Sequence, residues 1–166
     1  KTDEKNRILY FLANGREPCR DPYFSHFYRV DFSGQNLKLL TPEDGNHSIS
    51  LSPDGKYFVD NYSKPNVPPV SVLRNMKGDL LATLEKADIS KLTESGWKAP
   101  EPITVKSRDG KWDLYGLMFT PSNLDKTKKY PVVNYIYPGP QGGGVGSRSF
   151  SAARSDHQAV AELGFI

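Results

Sequence analysis

Cysteine occurs once, at Cys19, so no disulfide can close within these 166 residues and no thiolate metal cluster can form. A buried or partly exposed structural thiol is the expectation for that side chain. The three histidines, His26, His47 and His157, lie far apart in sequence and fit no metal-ligand spacing. No run approaches the roughly 18 apolar residues of a membrane helix, and the first residues have no secretory charged region followed by an apolar one. Excess charge is also scarce. The formal net charge of +3 comes from scattered basic residues, too few to mark a nucleic-acid surface. Lys126, Lys128 and Lys129 form a small basic cluster that reads as a solvated loop. None of these features indicates a compartment.

Catalytic signatures are missing too. A serine hydrolase needs a strained Gly-x-Ser-x-Gly elbow to expose its nucleophile, and the chain has none. Ser147, Ser149 and Ser151 lack the flanking glycines and read as loop or capping hydroxyls, and His157 as a surface or packing residue. The glycines from Gly139 to Gly146 could offer backbone N–H groups to an anion. No Gly-Lys-Ser/Thr follows them, however, and Ser147 stands where the last glycine of Gly142-x-Gly144-x-x-Gly would be needed. Nucleotide binding is therefore not expected.

Hydrophobic residues at 37% and aromatic residues at 11% are enough for a packed core. The first ninety or so residues read as short strands and turns. Strands are expected at 7–13, 26–31 and 37–40, followed by the turn Thr41-Pro42-Glu43-Asp44-Gly45. A second set is expected at 47–51, 57–62, 69–74 and 79–84, with the turn Ser52-Pro53-Asp54-Gly55-Lys56 between its first two members. Four strands recur within about 40 residues, the period of a β-propeller blade. Seven strands make roughly one blade and most of another; a small β-sandwich fits the same pattern.

Ala99-Pro100-Glu101-Pro102 marks a domain junction, giving domains of 1–98 and 99–166, with a short helix or loop over 87–92 before it. Beyond it, 103–107 and 113–119 read as a hairpin turning at Arg108-Asp109-Gly110-Lys111. A strand is expected at 132–137, then a helix within 152–164 with Asp156 as N-cap, Gly164 as the residue after its end, and Ala159, Val160 and Leu163 on one face. Phe165-Ile166 reads as the start of another buried strand. Hairpin, strand, helix and strand is how an α/β-hydrolase sheet begins. The expected fold is therefore mixed: the C-terminal blades of an all-β propeller, then the first strands and helix of an α/β-hydrolase domain.

Tyr137 closes the expected strand. There its hydroxyl could join an oxyanion hole, or its ring could simply pack on the core. Lys129-Tyr130-Pro131-Val132-Val133 followed by Tyr135-Ile136-Tyr137-Pro138-Gly139-Pro140 resembles the start of the peptidase domain in the dipeptidyl peptidase IV-like members of the prolyl oligopeptidase family of serine peptidases. Leu51-Ser52-Pro53-Asp54-Gly55-Lys56-Tyr57 looks like a blade turn of the same proteins, and the run from Gln158 to Phe165 resembles their helix and following strand.

The resemblance implies a propeller that screens substrates by size and a hydrolase that cleaves short peptides, releasing N-terminal dipeptides, often after proline. It implies that Tyr137 is an oxyanion donor. The family's serine, aspartate and histidine would follow Ile166 and its paired glutamates would precede Lys1, so this segment alone is expected to be inactive. The partner is a peptide substrate; no cofactor, metal, nucleic acid or membrane segment is implied. A homodimer and a periplasmic or secreted location accompany the resemblance. An acylaminoacyl peptidase or oligopeptidase of the same family, or a propeller that only binds, are the alternatives.

Overall fold

The computed structural model describes residues 1–136, 139 and 145–166. Its first half is two four-stranded antiparallel sheets, each built in chain order. The first comprises β1 (Thr2–Asp3), β2 (Ile8–Ala13), β3 (His26–Asp31) and β4 (Lys38–Leu39); the second comprises β5 (Asn46–Leu51), β6 (Tyr57–Lys64), β7 (Val67–Asn75) and β8 (Leu80–Lys86). Each is a meander with the strand count of a propeller blade. β1 is the strand that the sequence pattern lacks, because two residues are too short to show an alternation.

Side chains alternate across β6, with Phe58 and Asp60 buried and Tyr57 and Asn61 exposed. Pairing of Asp60 with Ile49 and Val72, and of Phe58 with Arg74, puts these side chains on one covered face. That face meets the first sheet through a core of Tyr10, Phe27, Leu40 and Phe58, to which Ile8, Ile49 and Met76 add their apolar surface. Phe27 and Phe58 meet edge to face with centroids 5.2 Å apart. Burying each such side chain contributes about 1.5–3 kcal/mol. Gly78 lets the turn after β7 close over this core: its φ is +89°, and a Cβ there would stand 3.0 Å from Leu40 Cα.

The turn between β5 and β6 is built from its own side chains. Ser52 Oγ donates to Asp54 Oδ1 at 2.7 Å and accepts from the Tyr57 amide at 3.0 Å, while Gly55 takes a positive φ of +68°. The same device recurs in the hairpin of β9 (Glu101–Lys106) and β10 (Asp113–Met118). There Ser107 Oγ donates to Asp109 Oδ1 at 2.6 Å, the Trp112 amide donates to Ser107 Oγ at 3.0 Å, and Gly110 has φ +72°. The connection is thus the expected turn over 108–111, a four-residue loop closed between Ser107 and Trp112.

Three expectations for the second half need correction. Among the described residues no strand is seen at 132–136; the Val133 amide donates to the Ile166 carbonyl and the Ile166 amide to the Pro131 carbonyl. The short helix before β9 is α1 (Ser90–Glu94), displaced toward the C-terminus from the expected span. The last helix, α2 (His157–Glu162), is a short one that follows Asp156 and ends before Gly164, whose φ is +97°. Asp156 makes no side-chain cap bond, and the buried residue is Ala161, with Ala159 and Leu163 exposed. Gln158 sets this orientation by donating to the Thr120 carbonyl at 3.1 Å and to Glu162 Oε1 at 2.6 Å.

Candidate functional site

Two groups of polar side chains are drawn together by the fold. The first is buried on the covered face of the second sheet. His47 on β5, Asp60 on β6 and Arg74 on β7 point inward by the two-residue alternation of their strands. His47 Nδ1 lies 2.8 Å from Asp60 Oδ1, and Arg74 Nε donates to Asp60 Oδ2 at 3.3 Å. Arg74 also donates to the Glu43 carboxylate and, at 3.1 Å, to the Gly78 carbonyl. His47 Nε2 faces the Glu43 carbonyl at 3.0 Å.

Ligand atoms of Glu43, His47 and Asp60 lie within 4.8 Å of one another, a grouping that sequence spacing did not reveal. Arg74 already bonds both carboxylates and supplies the positive charge that balances them. The cluster reads as a structural ion network. Beside it, the His26 ring lies 4.9 Å from the His47 ring, and its Nδ1 lies 3.1 Å from the Thr41 carbonyl. Its Nε2 is buried without a partner. Burial, then the neighbouring His47 charge, pull the His26 imidazole below its ordinary value.

The second group lies where the blades meet the later segments. A cavity of about 460 Å³ opens there, lined by Cys19, Arg20, Asp21, Asp44, Lys64 and Tyr115 among others. Cys19, expected as a buried or partly exposed structural thiol, is exposed, with φ +59°. At the edge of this junction Arg148 is 8% exposed; its guanidinium carbon stands 4.6 Å from the Tyr23 ring centre and its Nε is 3.6 Å from Asp21 Oδ2. Tyr23 in turn meets Tyr115 of β10 edge to face at 6.1 Å. Asn46 Nδ2 donates to Ser149 Oγ at 2.8 Å, and the Phe150 amide donates to Ser63 Oγ at 2.9 Å.

The serines of this segment hold structure. Ser147 Oγ accepts from the Ser149 amide at 3.1 Å, and Ser151 Oγ donates to the Ala153 carbonyl at 2.5 Å. Arg154 gathers the carbonyls of Ser147 and Ser149; burial, then the charge of Arg148, push its guanidinium below the ordinary value. His157 packs between Phe119 and Tyr135, with ring centres 5.3 and 4.8 Å away. Tyr137, the candidate oxyanion donor, lies outside the described residues, as do Gly142 and Gly144 of the glycine run.

Residues 1–69 match the family described as the dipeptidyl peptidase IV N-terminal region. The "Probable dipeptidyl-aminopeptidase B" of Botryotinia fuckeliana is 31% identical over 172 residues, which is 99% of this chain and 18% of the relative. These matches support a dipeptidyl peptidase IV-like family member. Dipeptidyl peptidase 8 of Homo sapiens is 27% identical to this dipeptidyl peptidase IV-like chain over 174 residues, covering 100% of it and 19% of the human protein. In three dimensions the chain resembles dipeptidyl peptidase 4 of Porphyromonas gingivalis with a TM-score of 0.70 at 23% identity, over 99% of this chain and 22% of that one. It thus spans about a fifth of the length of these relatives. Among the described residues no helix is long and apolar enough to cross a membrane.

Proposed function

We propose that this chain is the part of a serine exopeptidase in which the last propeller blades (1–98) hand over to the start of the α/β-hydrolase domain (99–166), and that the whole protein releases N-terminal dipeptides, often after proline. The observation that carries the reading is the junction itself. Two four-stranded meanders run into a hairpin and a helix, and the order and packing match those of a dipeptidyl peptidase over 99% of the chain. The relatives named above are dipeptidyl peptidases and aminopeptidases, which supports the same substrate class.

In this reading a serine attacks the scissile carbonyl, a histidine takes its proton, and an aspartate holds that histidine. These three belong to the remaining length that the relatives have, since the sequence contains no Gly-x-Ser-x-Gly. Tyr137 donates its hydroxyl to the oxyanion that forms on the carbonyl oxygen. No cofactor takes part. A homodimer and an exported location fit the reading.

The test is Tyr137→Phe in the full-length protein, assayed with a chromogenic Xaa-Pro substrate. Loss of one oxyanion donor lowers kcat by about 10²–10³ while KM changes little, because the donor acts mainly in the transition state. An unchanged kcat overturns the assignment of Tyr137. A wild-type protein that neither cleaves the substrate nor reacts with a fluorophosphonate overturns the peptidase reading and favours a binding module.

A further inference from the structure

The described residues on the two sides of Tyr137 are tied to different bodies. Upstream, Val133 bonds to Ile166 and Tyr135 packs on His157, so that side is held within the hydrolase-side segment. Downstream, Arg148, Ser149 and Phe150 are held by Asp21, Tyr23, Asn46 and Ser63, all of which belong to the blades. Trp97 reinforces this end, with its ring 5.6 Å from Phe150 and its Nε1 donating to the Ala152 carbonyl at 2.8 Å.

Arg148 is the buried member of the downstream attachment, while Ser147 is exposed and Ser149 and Phe150 are half-buried. Taking a guanidinium out of water costs about as much as its ion pair returns, so net stability is a poor reason for its burial. Its planar group, however, stacks on one ring and faces one carboxylate, which defines a single orientation. Tyr23 is itself wedged against Tyr115 of the hairpin, so the same side chain registers the blade loop, the hairpin and the 147–150 segment against one another.

We propose that Arg148 is a positioning residue: by latching the 147–150 segment onto Asp21 and Tyr23, it transmits the placement of the propeller to the oxyanion-donating segment of the hydrolase. The inference rests on the peptidase reading given above. Misplacement of a reacting group by about 1 Å costs on the order of 10²-fold in rate.

The experiment is a double-mutant cycle in the full-length protein between Arg148→Ala and Tyr137→Phe, with steady-state cleavage of an Xaa-Pro p-nitroanilide as the readout. Arg148→Ala alone is expected to lower kcat about ten- to a hundredfold with KM changed far less, and to add little in the Tyr137→Phe background. Arg148→Lys, which keeps the charge opposite Asp21 but loses the planar stack, recovers part of the rate and replaces the alanine variant in the cycle if that variant does not fold. Wild-type kcat in Arg148→Ala overturns the inference, as does a loss that multiplies in full with that of Tyr137→Phe. An inactive wild-type protein overturns the peptidase reading, and the inference with it; an active wild type with an indifferent Arg148 overturns the inference alone.

Discussion

His47 and Asp60 face each other across neighbouring strands at 2.8 Å, and both side chains are completely withdrawn from solvent. Asp60 is held from its other side by Arg74, so one carboxylate ties three strands together at the side-chain level. Removing it leaves a buried guanidinium without one of its two carboxylates. Asp60→Ala is expected to cost about 3–5 kcal/mol, a large share of the stability of any domain of this size. The midpoint of urea unfolding, or its disappearance, measures this. A midpoint within error of wild type would show that the network adds nothing to folding.

His26 makes stability depend on pH. Its folded value is depressed from 6.5 by burial and by the charge of His47, with Arg20 also opposing protonation and Glu17 favouring it. Between the folded value and 6.5 the unfolded chain binds more protons than the folded one, so stability falls with falling pH in that window. The contribution is complete above 6.5 and has reached its floor below the folded value. His26→Gln should flatten this slope when unfolding midpoints are compared from neutral to mildly acidic pH. Parallel curves for the two proteins would contradict the assignment.

Gly78 combines a φ of +89° with a Leu40 Cα that would sit 3.0 Å from an added Cβ. Gly78→Ala therefore meets both backbone strain and a clash with main chain that cannot rotate away. A loss of about 1–3 kcal/mol is expected, larger than the few tenths typical of surface substitutions. Gly34, with φ +80° and open space around it, isolates the backbone part of that cost. Equal losses at the two positions would show that the contact with Leu40 is unimportant.

Tyr28 is 1% exposed and donates its hydroxyl to Glu17 Oε1 at 2.8 Å. Burial first, then the hydrogen bond to Glu17, push the phenol well above its ordinary 10.0. Tyr28 should stay protonated at about pH 11, where an ordinary tyrosine ionises. Tyr28→Phe should therefore leave the tyrosinate absorbance of the folded protein unchanged at that pH, while costing about 1 kcal/mol for the lost bond. A drop of one tyrosine's absorbance would place Tyr28 among the ordinary phenols.

The strands and turns of the blades could be read directly from the chain because their causes are local. Ser52-Pro53-Asp54-Gly55 and Ser107-Arg108-Asp109-Gly110 each carry a serine, an aspartate and a glycine at the spacing that closes the same side-chain loop. The segment 132–136 was less legible, since its pattern records the capacity to be a strand and says nothing of the partner that must complete the ladder. For α2, the apolar positions suggested one face, yet Gln158 and Glu162 anchor another through Thr120 and Ser122.

By itself, then, the sequence determined the propeller-like period and the turn chemistry through nearest-neighbour sterics and motif spacing, while the resemblance of its motifs implied the family and singled out Tyr137 as the residue to test. Only the tertiary structure decided that His26 and His47 meet, that Arg74 bonds both Glu43 and Asp60, and that Arg148 reaches back to Asp21. Those pairings join residues far apart in the chain. They follow from which sheet faces pack together, a choice made by the summed burial of many side chains rather than by any short stretch of sequence.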